Sequence, residues 1–182
     1  MASRELFPTG KLLLTLQRLA FEVIEHYPRL SDVCFVAIQP RGILLGRRMM
    51  VLLKEMVGND AVKYGELDVT FFRDDFRRTS QPVVPSVTKV DFLIENQNVI
   101  LMDDVLYTGR TIRAAMDAML AFGRPNKVEL MILIDRLRKR DLPIQANYVG
   151  VAVETLDNEK VIVQWQEKHG ADSVTIQTKE AQ

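Results

Sequence analysis

The sequence predicts an α/β protein built on a mostly parallel central sheet flanked by helices. Three short runs of apolar, largely branched residues, at 33–38, 99–102 and 127–134, have the composition of strands buried on both faces. Between them lie stretches with apolar residues every three or four positions, the spacing of helices that cover such a sheet. The chain ends read as a small extra layer.

In chain order, Leu12, Leu13, Leu16, Leu19, Ala20, Val23 and Ile24 predict an amphipathic helix ahead of the first strand. Strand 33–38 is broken by Gln39-Pro40-Arg41-Gly42, and 43–57 carries a long aliphatic face as far as the stop signal Gly58-Asn59. Residues 67–72 read as a second strand. The stretch 73–98 is the least regular, because Arg73, Asp74, Asp75, Arg77 and Arg78 are followed by Thr, Ser, Gln and two prolines; it predicts a mobile loop. After strand 99–102, Ile112, Ala115, Met116, Met119 and Leu120 recur at helical spacing. A buried strand at 127–134, a break at Leu142-Pro143-Ile144 and strands at 148–153 and 160–165 complete the pattern. The whole reads as one domain, 1–182, with a core over about 30–135 and a hood from the N-terminal helix and about 136–182.

A chain of 182 residues buries a core without disulfide or metal staples. Its 24 Lys plus Arg balance 24 Asp plus Glu, so no global field draws it onto nucleic acid, and RNA contacts require local clustering. The single cysteine, Cys34, lies in the apolar run 33–38 and reads as a small buried hydrophobe, which suits a reducing cytoplasm. The N-terminus lacks the order of a signal peptide, and no apolar run approaches the ~18 residues of a membrane span. His26 and His169 have no carboxylate or cysteine at metal-ligand spacing and read as surface or capping residues, and Trp165 reads as a packing residue.

The chemistry concentrates in residues 99–111, Val-Ile-Leu-Met-Asp-Asp-Val-Leu-Tyr-Thr-Gly-Arg-Thr. A strand buried on both faces places function at its carboxyl end. Thr108, Gly109, Arg110 and Thr111 stand where the following helix begins, so unpaired N–H groups, the helix dipole and threonine hydroxyls together suit a phosphate monoester. Asp103 and Asp104 accept hydrogen bonds and favour hard cations, which suits paired sugar hydroxyls or hydrated magnesium. Phosphate beside diol acceptors describes a ribose 5-phosphate. Arg41-Gly42, at the end of the first strand, adds a bidentate cation and a close backbone approach suited to a diphosphate.

These residues resemble the phosphoribosyl-diphosphate (PRPP) motif of type I phosphoribosyltransferases, in which the acidic pair holds the ribose hydroxyls and Thr-Gly-x-Thr the 5-phosphate. More narrowly, 103–111 resembles the form found in the pyrimidine-operon regulator (PyrR) family, whose members double as uracil phosphoribosyltransferases. Tyr107 is the discriminating residue, since purine-salvage relatives usually carry Asp there. Residues 39–46 resemble the diphosphate loop, with Gln39-Pro40 in place of Lys-Thr, and 67–75 resemble the family's strand and flexible lid, whose Arg73, Arg77 and Arg78 would close over the diphosphate. Residues 133–150 follow the family past the base pocket, with Leu137-Arg138-Lys139 replacing its Gly-His, and 150–155 replace its Gly-Lys-x-Ile-Pro-Thr.

The resemblance implies a type I phosphoribosyltransferase fold and a uracil phosphoribosyltransferase that is also a UMP-responsive, mRNA-binding regulator. It implies catalytic roles for Arg41, Arg73 and Asp104, and PRPP or UMP contacts from Arg41, Gly42, Asp103, Asp104, Tyr107, Thr108, Gly109, Arg110 and Thr111. Val105, Tyr107 and Val149 would form the base pocket, and Arg18, Arg138, Lys139 and Arg140 would contact RNA. Mg²⁺ would reach Asp103 and Asp104 indirectly, through PRPP or water. Relatives imply a homo-oligomer, a dimer or larger. Two alternatives stay open: a nucleotide-sensing RNA-binding attenuator with little catalysis, and a phosphoribosyltransferase for another base without RNA binding. Arg136, with Arg138, Lys139 and Arg140, reads as a basic run of the kind that usually forms a solvated face.

Overall fold

A computed structural model describes residues 3–8, 10–58, 62–74 and 84–178. Five strands form a parallel sheet in the order β3-β2-β4-β5-β6: β2 (Val33–Ile38), β3 (Lys63–Leu67), β4 (Asn98–Leu106), β5 (Lys127–Leu137) and β6 (Tyr148–Glu154). A second, antiparallel sheet joins the chain ends in the order β1-β8-β7: β1 (Ser3–Glu5), β7 (Glu159–Gln164) and β8 (Ser173–Thr178). Helix α1 (Lys11–His26) and α2 (Gly42–Val57) cover one face of the large sheet, α3 (Arg110–Met119) covers the other, and the short α4 (Gln166–His169) links β7 to β8.

Two apolar clusters on opposite faces of the sheet follow from strand alternation. Phe35, Ala37, Ile100 and Met102 face α1 and α2, while Cys34, Val36, Val99 and Leu101 face α3. Helix α2 reaches the sheet closely because Gly42 has no side chain: a Cβ there would stand 2.4 Å from the Met102 carbonyl oxygen. Arg48 ties the small sheet to α2, bonding Glu167 and Asp172 with its guanidinium 4.9 Å from the Trp165 ring centroid. Trp165 is buried packing, Cys34 is a buried thiol, and His169 accepts the Trp165 N–H at 3.0 Å as a cap.

The structure differs from the sequence reading in four places. The second strand is Lys63–Leu67 rather than 67–72, because the Asp68 carboxylate accepts hydrogen bonds from the Thr70 N–H and Ser86 N–H and folds the chain into a short 3-10 turn, Thr70–Phe72. Strand β4 runs on through Asp103 and Asp104 instead of ending before them, while α3 starts at Arg110, within the 108–111 turn where the sequence puts the helix start. Strand β1, three polar residues, and β8, whose Val174 and Ile176 alternate with polar residues near the chain end, are absent from the sequence reading and complete the small sheet. Strand β6, with α1 packed against it, belongs to the large sheet, so the smaller layer is the three-stranded sheet with α4. Of the loop 73–98, Arg77 and Arg78 lie outside the described residues.

Candidate active site

All five parallel strands end on one edge, and the chain turns outward to β3 on one side and to β5 and β6 on the other, so the direction reverses between β2 and β4. Open α/β sheets hold ligands at such a reversal. A cavity of about 400 Å³ lies there. Its centre is β4 with Asp103, Asp104 and Val105, followed by Tyr107; Gln39, Pro40 and Arg41 form the β2 flank, and Arg73 and Thr111 a further wall. Arg136 of β5 forms the opposite flank, roofed by Asp157 of the turn before β7 and by Glu159, Lys160 and Val161 of the small sheet. A second cavity of about 230 Å³ adjoins it, lined by Thr108, Gly109, Arg110 and Ile112 and sharing Arg73, Asp103, Val105, Tyr107 and Thr111.

The carboxylates are buried because they continue a strand covered on both faces. Asp103 and Asp104 are each under one-tenth exposed, and the Asp104 N–H donates to Asp103 Oδ1 at 2.9 Å. Burial, with the neighbouring Asp104 charge adding to it, pushes the Asp103 carboxyl well above the ordinary value, and burial raises Asp104 too, opposed by the Arg41 guanidinium. Two bare charges are therefore disfavoured, and a ligand carrying hydroxyl donors or a cation relieves them.

The adjoining cavity suits an anion. Gly109 turns the chain at φ +90, where only glycine is unstrained, and its missing side chain leaves room for Ile144, whose Cδ1 would lie 3.1 Å from a Cβ. The first turn of α3 has N–H groups without helical partners beside this cavity. Arg73 Nη1 donates to Thr111 Oγ1 at 3.1 Å, while the Arg110 guanidinium is held by Asp74 and Asp141 and its backbone N–H donates at 3.5 Å to Thr108 Oγ1.

Arg140 braces this loop from below. Its guanidinium pairs with Asp135 and donates to the carbonyls of Tyr107 (2.6 Å), Arg136 (2.9 Å) and Ile144 (3.1 Å). The Thr108 carbonyl accepts the N–H groups of Asp141 and Leu142 on the same side. Arg140→Ala is expected to lower stability by about 3 kcal/mol, since it strands a mostly buried carboxylate, and to weaken phosphate-ligand affinity at least tenfold; denaturant unfolding and calorimetric titration of PRPP read the two effects.

The structure brings Arg41, Arg73, Asp103, Asp104, Val105, Tyr107 and Thr111 to one cavity and Thr108, Gly109 and Arg110 to its neighbour. It does not bring Val149 there: that side chain packs with the α3-side core, and its carbonyl accepts a hydrogen bond from Arg18 at 2.8 Å. Arg136, which the sequence places in an exposed basic run, is 5% exposed because β5 continues to Leu137, beyond the apolar residues that predicted it. The roof residues from 157–161 were also missed, since they arrive only when the second sheet folds over the edge of the first.

Fold and site together define a phosphoribosyltransferase: the model of the phosphoribosyl transferase domain matches residues 3–168. Bifunctional protein PyrR of Enterococcus faecalis is 43% identical over 176 residues, covering 97% of both chains, and the pyrimidine operon regulatory protein of Lactococcus lactis subsp. cremoris is 39% identical over 97% of this chain and 98% of its own. Hypoxanthine phosphoribosyltransferase of Trypanosoma cruzi shares the fold, with a TM-score of 0.70, 16% identity and 97% of each chain covered. The chain belongs to the PyrR family of phosphoribosyltransferases.

Proposed function

We propose that this protein joins uracil to PRPP, releasing diphosphate and forming UMP, and that it responds to UMP as a regulator of pyrimidine-operon mRNA. The observation that carries the enzymatic reading is the acidic pair on the middle strand β4, with Arg41 on one flank and Arg136 on the other. Neighbouring strands are about 4.8 Å apart, so these flanks stand roughly 10 Å from each other. Ribose over β4 then has its diphosphate toward β2 and its base toward β5, on opposite sides of the anomeric carbon.

Asp103 and Asp104 accept the ribose hydroxyls, the amides of Thr108, Gly109, Arg110 and Thr111 hold the 5-phosphate, and Arg41, the Gly42 amide and Arg73 take the charge that develops on the leaving diphosphate. Holding both reactants in line and stabilising that charge suffices for a transition state of oxocarbenium character. The hard carboxylate oxygens of Asp103 and Asp104, which line the cavity, suit Mg²⁺ that arrives with PRPP and water. When bound, Mg²⁺ neutralises diphosphate charge. We place the protein in the cytoplasm as a homo-oligomer, each chain a single domain; no helix among the described residues is long and apolar enough to cross a membrane.

The test is diphosphate release from PRPP and Mg²⁺ with a panel of bases. Uracil is expected to support it at least tenfold better than hypoxanthine, guanine or adenine, and equal rates with a purine would overturn the assignment.

The relatives' regulatory names support the RNA role, but one observation favours a second reading, catalysis without RNA. Each proposed RNA cation already has a partner: Arg18 with Glu22 and the carbonyls of Val149 and Gly150, Arg138 with Glu154, Lys139 with Asp157, and Arg140 with Asp135. RNA phosphates have to displace these pairs. A mobility shift with pyrimidine-leader RNA that weakens steeply with salt supports the regulator; no shift at low salt leaves the enzyme alone.

A further inference from the structure

Among the described residues, Arg136 is a buried cation with no carboxylate of its own. Nε and Nη2 donate to Thr155 Oγ1 at 3.0 and 2.9 Å, and Nη2 also donates to the Glu159 carbonyl at 3.0 Å. Nη1 has no protein acceptor among the described residues, and no ion pair is made by this side chain. Of the two nearby roof acids, Asp157 is paired with Lys139, and Glu159 accepts the Leu156 N–H at 2.7 Å. The guanidinium carbon lies 4.0 Å from the Tyr107 ring centroid, so the ring and the bonds to Thr155 and Glu159 fix its plane at the cavity wall. A buried guanidinium so immobilised, with two N–H groups left over, is built for an acceptor that comes with the ligand.

Resting on the reading of the β5 flank as the base side, we propose that Arg136 recognises the exocyclic oxygen at the base edge farthest from the glycosidic bond. The site therefore selects an oxo-substituted pyrimidine over an amino-substituted one. A base whose ribose sits over Asp103 and Asp104 points that edge away from β4, toward β5 and the roof. Guanidinium donates only, so a carbonyl there completes the Nη1 hydrogen bonds, whereas an amino group sets donor against donor and leaves both unpaired. Thr155, whose hydroxyl takes two of the guanidinium bonds, is the positioning residue.

The experiment is calorimetric binding of UMP and CMP to the full chain, with PRPP titrated alongside. The unaltered protein is expected to bind UMP at least 30-fold more tightly than CMP. Arg136→Met, which keeps the aliphatic stem and removes every donor, should reduce that ratio to about 3 or less while PRPP affinity stays within threefold. Thr155→Val, which leaves Arg136 in place without its anchor, should cut the ratio at least fivefold, again with PRPP affinity kept. Equal binding of UMP and CMP by the unaltered protein overturns the proposal, as does a ratio unchanged in both variants, or a loss of PRPP affinity matching the loss of UMP affinity. The readout needs no turnover, so inactivity in the base panel would sink the proposed reaction without touching this result.

Discussion

Asp104→Asn is expected to weaken PRPP binding about 100-fold and at the same time to stabilise the ligand-free protein. The first effect follows from replacing a charged acceptor of two ribose hydroxyls, each such hydrogen bond contributing about 1.5–3 kcal/mol. The second follows from burial: Asp103 and Asp104 both have carboxyls raised above the ordinary 3.8, Asp103 further, so the folded pair gives up its protons at higher pH than the unfolded chain does and ionising it costs stability. A group raised in this way supports the fold fully below its unfolded pKa, and that support is lost as pH rises through the folded value. Ligand-free stability is therefore expected to fall from about pH 4 upward across the raised range of the pair, and the asparagine variant to lack part of that fall. Removing one buried charge should add about 1–2 kcal/mol at pH 7, or a few degrees in Tm. Thermal unfolding between pH 4 and 8, with and without PRPP, checks both; a variant less stable than its parent at pH 7 would show that the pair is not strained. The trade is characteristic of a site that holds charge ready for its ligand.

Gly42→Ala should be among the most damaging single-methyl changes in the described chain, and one that reaches the site. The added Cβ would meet the Met102 carbonyl oxygen at 2.4 Å and Asp103 Cα at 3.1 Å. Both are backbone atoms of the central strand, so neither rotates away; α2 or β4 has to shift, at a cost of about 3 kcal/mol or more. The same shift moves Arg41 relative to Asp103, so PRPP affinity should fall along with stability. Gly10→Ala is the matching control: its φ of +84 strains any side chain, but nothing lies within 4 Å of the new Cβ. That variant should lose only about 1 kcal/mol, with PRPP affinity unchanged.

The elements legible in the sequence are those whose signal is local. Strands β2 and β5 and helices α1 and α2 follow from runs and periodicities within a dozen residues, and the acidic pair with the Thr-Gly-Arg-Thr turn is one continuous segment. Strand β3 escaped because Gly65 and the charged Lys63 and Glu66 dilute the apolar character of 63–67, and because the Asp68 turn also draws on partners eighteen to twenty residues away. Arg140 offered a plain instance of ambiguity. In sequence it is one cation in a basic run; in the fold it is the brace beneath Tyr107 and Thr108.

The edge proposed to hold PRPP is written into residues 99–111, since one strand, two carboxylates and a glycine turn bring their own geometry wherever the chain folds around them. The far wall of the cavity is not, because Arg136, Thr155 and Glu159 meet across separations of 19 and 23 residues, and Lys160 arrives from a different sheet. Hydrogen bonds and burial assign such residues their roles, and both arise only once the two sheets pack. Folding alone turned an arginine that reads as part of a solvated charge run into an immobilised donor lining the cavity.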